Sequence, residues 1–277
     1  MADYSKVYSF SKLDTFDKCK QQYSFNYLDP DISPIRKQFF KPRDYTTKGQ
    51  AVHGAITLFY YYPNKKRTFS NLKKCLKKAW YSEKDASKPP PLGEVGGFKD
   101  LLHERKSYKE SLILLRNFFN LESQNPNLFY VPVRNIRESF EDYEKMIQPI
   151  GGKYLISGKF DRIDETEGGG LKVIDFKTGK SKSSPFQLEV YKLLAEMNFG
   201  RKVEQASFYY LFNKKIKDVN IKGIKSKDIR NKIMEKIKEI NKTKEFPAKP
   251  GRFCSHCDFR EICYAFGGSK EKFLKLF

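Results

Sequence analysis

GKFDRIDETEGGGLKVIDFK, residues Gly158–Lys177, carries the reading on which the fold rests. Two β-rich runs, KYLISGKFDRID (Lys153–Asp164) and LKVIDFK (Leu171–Lys177), flank a segment ending in three glycines, the pattern of a hairpin. Folded back about Gly168, the strands set Asp161 opposite Asp175 on one face of a sheet. Facing residues there have Cβ atoms about 4.5–5.5 Å apart, and two like charges at that spacing destabilise each other. A divalent cation relieves them: hard Mg²⁺ or Mn²⁺ prefers carboxylate oxygen and retains waters suited to phosphodiester attack. Lys177, two residues beyond Asp175, projects to the same face. Its ammonium can orient the attacking water or stabilise charge developing on a phosphate. A solvated surface hairpin is the plain reading of a lone DxK strand. The largely apolar run Leu171–Ile174 before Asp175, and the apolar strand leading to Asp161, argue instead for a buried pair.

Outward from the hairpin, VPVRNIRESF (131–140) precedes it as a third β-rich run. The segment SPFQLEVYKLLAEMNF (184–199) follows as a helix, then the strand VEQASFYYLF (203–212) and a Lys-rich amphipathic helix from Ser226 to about Lys242. The order βββαβ defines a mixed central sheet flanked by helices, an α/β class. On the other side, SFSKLDTFDKCKQQYSFNYL (9–28) has Phe10, Leu13, Phe16, Tyr23 and Tyr27 at roughly helical spacing, and reads as a short helix carrying Cys19 with Ser9 or Ser11 as N-cap. GQAVHGAITLFYYY (49–62) reads as a helix with Val52, Ile56 and Phe59 or Tyr60 on one face and His53 beside it. NLKKCLKKAW and ESLILLRNFFNLES continue a helical lobe, interrupted by the loop KPPPLGEVGG (88–97).

Five cysteines, an odd number, argue against a disulfide framework and for thiols that bind metal. Cys254, Cys257 and Cys263 form a CxxC with a third thiol six positions on, and Cys19 is the candidate fourth ligand. Four thiolates suit Zn²⁺ or an iron-sulfur cluster, and spacing does not choose between them. Cys75 reads as a helix cysteine at an apolar position, and His256 as an exposed residue between two ligands. The 277 residues hold 54 Lys+Arg against 33 Asp+Glu, a net charge of +21, so a polyanion is the expected partner and nucleic acid the economical one. The longest apolar stretch, around Ala55–Tyr62, is far short of the roughly 20 residues of a membrane span. The start MADYSKVYSF lacks the pattern of a secretory signal, so a cytoplasmic location is expected.

GKFDRID, VIDFKTGK and QLEVY, in this order, resemble the successive motifs of RecB-like PD-(D/E)XK nucleases. The resemblance implies a restriction-endonuclease-like fold with an inserted helical lobe, metal binding by Asp161 and Asp175, and catalytic assistance by Lys177. GQAVHGAI is similar to the family's helical motif, which implies that His53 coordinates the metal. The QxxxY pair, Gln187 and Tyr191, is implied to contact DNA. The residues themselves also permit a plainer role for this pair, since Ser184 and Gln187 suit a capping box after which Tyr191 packs. Glu138 resembles an acid that the family places ahead of the hairpin. Phe160 stands where the superfamily name has Pro, and the second acid is Asp rather than Glu, variants that suit the RecB-like branch. One cysteine before the nuclease core and three after it is similar to the 4Fe-4S clasp of AddB-type and CRISPR-adaptation nucleases, which implies a cluster on Cys19, Cys254, Cys257 and Cys263.

Four segments follow: 1–50 with the first cysteine, 51–130 as the helical lobe, 131–245 as the nuclease core and 246–277 as the cysteine segment. The expected activity is Mg²⁺- or Mn²⁺-dependent hydrolysis of DNA, end-directed and favouring single strands, exonucleolytic or endonucleolytic. Its setting is recombination and repair beside a helicase, or CRISPR adaptation beside integration proteins. The competing reading is a noncatalytic DNA-binding iron-sulfur scaffold of a helicase-nuclease complex, against which the intact acids and lysine speak.

Overall fold

The chain opens with a short strand, β1 (Val7–Ser9), and the helices α1 (Phe10–Lys18), α2 (Lys20–Tyr27) and α3 (Ile32–Ile35). Three longer helices follow, α4 (Asp44–Tyr60), α5 (Phe69–Ser82) and α6 (Leu101–Leu121). Strands β2 (Leu128–Tyr130), β3 (Gln148–Gly151), β4 (Tyr154–Ser157), β5 (Arg162–Glu165) and β6 (Leu171–Lys177) lead to α7 (Pro185–Phe199). The strands β7 (Val203–Tyr210) and β8 (Lys215–Asp218) precede α8 (Ser226–Lys242) and the short α9 (Lys270–Leu274). The structure, a computed structural model, describes residues 4–82, 92–122, 126–132 and 146–275. Glu138 and most of the run 131–140 lie outside the described residues.

Two units divide the chain. One comprises Met1–Lys41, Pro149–Ile156 and Arg230–Phe277; the other, Pro42–Gln148 and Ser157–Ile229. The second unit holds a five-stranded sheet of order β2-β5-β6-β7-β8. β5 and β6 pair antiparallel with Arg162 opposite Ile174 and Ile163 opposite Val173, the register that folding about Gly168 predicts. α7 then carries the chain back so that β7 runs parallel to β6, with Lys177 beside Tyr210, and β8 returns antiparallel. The result is a mixed sheet flanked by helices, consistent with a restriction-endonuclease-like fold. Its apolar core joins Val52, Ile56 and Phe59 of α4 to Trp80 of α5, Phe118 of α6 and Phe176 of β6. That is the α4 face the sequence periodicity predicts.

The first unit contains the sheet β1-β4-β3 and a core of Phe25, Ile32, Phe39, Phe259 and Ile262. Two sequence expectations are corrected here. The segment 9–28 is two helices rather than one. Ser9 caps α1 by accepting a hydrogen bond from the Lys12 amide at 3.2 Å, but Cys19 adopts an extended backbone between α1 and α2. KYLISGKFDRID is likewise split, into β4 and β5 in different sheets. The break falls at Gly158, where a Cβ would lie 2.7 Å from Leu194 Cδ1 and 3.1 Å from Tyr191 Cε1, so any larger residue would have to displace these α7 side chains. No helix among the described residues is long and apolar enough to cross a membrane.

Candidate active site

β5, β6, α4 and α7 each bring one part of a polar cluster together. Asp161 stands just ahead of β5, where its Oδ2 accepts a hydrogen bond from the Phe176 amide at 2.8 Å. Its Oδ1 lies 2.8 Å from Nδ1 of His53, a residue of α4. Asp175, buried near the end of β6, has Lys177 Nζ 2.8 Å from its Oδ2. The ammonium and the carboxylate form an ion pair that favours ionised Asp175. The pair's environments drive its acidities apart, as expected of two carboxylates sharing a site. Burial and the charge of Asp161 push Asp175 up to about 6, against the opposing effects of Lys177 and His53. Burial also disfavours ionised Asp161, but His53, the Phe176 amide and Lys177 outweigh it and hold its carboxyl below the usual range. Burial opposes protonation of His53 as well, yet Asp161 and Asp175 together raise it. Asp175 keeps only 6% side-chain exposure while His53 keeps 32%, so the cluster is closed behind Asp175 and open at His53.

Gln187 is drawn into the same cluster. Ser184 makes no side-chain capping bond at the start of α7, so the capping box does not form. Instead Gln187 Oε1 accepts from Lys177 Nζ at 2.9 Å and its Nε2 donates to Asp175 Oδ1 at 2.9 Å. Tyr191 sits one turn on, its hydroxyl 3.4 Å from Gln187 Nε2 and its ring edge-on to Phe160. Burial, with the Asp175 charge, raises its phenol. A second network escaped the sequence reading. The Arg162 guanidinium, 1% exposed, pairs with Glu122 and Asp164 at 2.9 and 2.8 Å and donates to the Tyr60 hydroxyl. Burial, partly offset by Arg162, pushes Asp164 up to about 6. The one sequence cue was an arginine at the alternate position of a buried strand.

With these residues in place, the sequence profile of the PD-(D/E)XK nuclease superfamily matches residues 7–264. The chain belongs to the PD-(D/E)XK nuclease superfamily. It is also 26% identical over 257 residues to a protein of Carboxydothermus hydrogenoformans that is named as one of the subunits of an ATP-dependent helicase/deoxyribonuclease. That match covers 84% of this chain and 23% of the relative, so the chain spans about a quarter of the relative's length. PD-(D/E)XK nucleases generally use divalent metal ions such as Mg²⁺. Among the described residues no group of three or more His, Cys, Asp or Glu side chains is gathered as a metal site. The donor chemistry nevertheless suits a hard cation. Asp161 and His53 are in contact, and Asp175 lies near enough to both for their charges to shift one another's acidities.

Elsewhere in this PD-(D/E)XK nuclease, Cys19, Cys254, Cys257 and Cys263 all line one cavity of about 360 Å³ in the first unit. Cys19 reaches it from the break between α1 and α2. Cys254 opens the 3-10 turn Cys254–His256, Cys257 follows that turn in an extended conformation, and Cys263 is extended between the turns Arg260–Ile262 and Tyr264–Phe266. The last turn closes tightly at Gly268, where a Cβ would meet the Glu261 carbonyl at 2.3 Å. Burial, then the neighbouring Cys19 and Cys254, raises the Cys257 and Cys263 thiols above their usual range. His256 is exposed and does not line the cavity, and Cys75 is buried in α5.

Proposed function

We propose that the chain is a divalent-metal-dependent deoxyribonuclease that hydrolyses phosphodiester bonds near DNA ends in recombination or repair, alongside a helicase partner. The observation that carries this reading is the approach of Asp161, Asp175, Lys177 and His53 in one partly open cluster. Asp161, Asp175 and His53 would hold the cation, which supplies Lewis-acid polarisation of the phosphodiester when bound. The Phe176 amide fixes the Asp161 carboxylate, and Gln187 fixes both Asp175 and Lys177. Lys177 then presents a positive charge where negative charge grows on the phosphate. Tyr191 supports Gln187 and lines the strand's path. The net charge of +21 favours a polyanionic substrate. The name of the Carboxydothermus relative favours a helicase-linked role over CRISPR adaptation.

The same reading assigns a 4Fe-4S cluster to Cys19, Cys254, Cys257 and Cys263, supported by the cavity they share and by the softness of four thiolates. Structural Zn²⁺ is the alternative that metal analysis separates. Segment 246–277 then serves as a clasp on segment 1–50, outside the core 131–245 and the helical lobe 51–130.

Digestion of end-labelled single- and double-stranded DNA, with free or blocked ends, in Mn²⁺, Mg²⁺ or chelator, tests the activity. Cleavage should require the metal and a free end. Lys177→Ala should slow it by roughly 10²–10³-fold, the scale of losing one preorganised charge, with unchanged circular dichroism. Metal-dependent cutting by Lys177→Ala at the wild-type rate would remove the assignment.

A further inference from the structure

Single exposed hydrophobic side chains are ordinary on protein surfaces, so Phe212 counts only through its surroundings. β6 and β7 run parallel and leave the sheet at the same end, the end that carries Lys177. Lys177 pairs with Tyr210, the Leu211 amide donates to the Lys177 carbonyl at 2.9 Å, and Phe212 follows with 47% of its surface exposed. The loop after β6 crosses the same place. The Ser183 amide donates to the Tyr210 hydroxyl at 3.0 Å, and Lys180 Nζ lies 4.7 Å from the centre of the Phe212 ring. Residues 178–188 and 211–217 contain no carboxylate, while Lys180, Lys182, Lys214 and Lys215 are all exposed on them.

We propose that Phe212 is a stacking platform for an unpaired base of the substrate strand, with Lys180, Lys182, Lys214 and Lys215 taking the flanking phosphates. This rests on the nuclease reading above, because it takes the strand to run past Lys177. An exposed aromatic ring on segments rich in lysine is the combination that holds single-stranded nucleic acid irrespective of sequence, since every base offers a π-face. A paired base stacked inside a duplex has no free face for the ring, so the platform selects for frayed or single-stranded ends. Lys180 covers one face of the ring, and a cation held over an exposed aromatic is bound weakly enough to swing to a phosphate.

The test is fluorescence anisotropy of the full chain with a short fluorescein-labelled single strand and the same sequence as a blunt duplex, in chelator so that nothing is cut. Phe212→Ala should weaken single-strand binding roughly tenfold and duplex binding less than about twofold, and Phe212→Trp should retain single-strand affinity. Single-strand affinity unchanged in Phe212→Ala, or equal loss on both probes, would overturn the platform alone. A wild-type chain that binds neither probe would bring down the nuclease reading and the platform together.

Discussion

Gln187 touches both halves of the proposed catalytic pair. Its position three after Ser184 suits a helix cap, yet its amide is spent on Lys177 and Asp175. The physical reason is burial: an unmet carboxylate oxygen inside the protein costs more than a helix start left to water. Gln187→Leu should therefore lower kcat by roughly 10–100-fold, the usual effect of removing a group that orients an active residue, and leave KM for DNA nearly unchanged. A residue that merely gripped DNA would give the opposite split, a raised KM at constant kcat. Asp161, Asp175 and Lys177 were legible in the sequence because strand alternation and one hairpin register place them without help from distant residues. The Arg162 network was not legible, since its partners Tyr60 and Glu122 arrive from α4 and the end of α6. Arg162→Met strands two buried carboxylates and should cost about 3–5 kcal/mol of stability in denaturant titration. A loss within about 1 kcal/mol would mean that Glu122 and Asp164 find other partners or take up protons at little cost.

Among elements, the joint between β1 and α1 carries a buried charge. Lys12, 8% exposed, donates to the Ser5 and Val7 carbonyls, both at 3.1 Å, and burial lowers its ammonium from 10.5 to about 8. The folded state therefore binds the Lys12 proton less tightly than the unfolded chain does. The resulting destabilisation is complete below about pH 8 and is relieved as pH rises toward 10.5. Relative to Lys12→Met, the wild type should gain stability between pH 8 and 10.5, read from chemical-denaturation midpoints; parallel pH profiles would show that Lys12 titrates normally. The same region marks where element-scale reading failed. Helical periodicity ran through Cys19 because Phe16, Tyr23 and Tyr27 keep the spacing, and nothing local announces that Cys19 is extended. The strand break at Gly158 was equally silent, because the side chains that pack against it, Leu194 and Tyr191, come from α7, remote in sequence. By contrast, α4, α7 and α8 could be read directly, since each carries its own apolar stripe or its own Pro and Gly boundaries.

Over the whole molecule, the two ends of the chain meet in one apolar core. Phe259, between Cys257 and Cys263, packs its ring 5.4 Å from both Phe25 and Phe39. Lys270 pairs with Asp29 at 2.8 Å, and Lys41 with Glu261 at 2.5 Å. Surface ion pairs of this kind contribute little each. The net charge of +21 adds a mutual repulsion that favours expansion. A covalent or metal link across Cys19 and the C-terminal thiols closes nearly the whole chain into a loop, and closure entropy makes such a long link valuable even though the gain grows slowly with length. If a cluster supplies that link, Cys257→Ser should lose visible absorption near 400 nm together with bound iron. Its thermal midpoint should fall by at least about 4 °C, the scale of a loss above 1 kcal/mol in a chain of this size. Cys75→Ser, in α5 and away from the cavity, should keep both the colour and the iron. Colourless wild-type protein carrying one zinc would transfer the same stabilising role to Zn²⁺. Equal midpoints for wild type and Cys257→Ser would show that Phe25, Phe39 and Phe259 hold the ends without any metal.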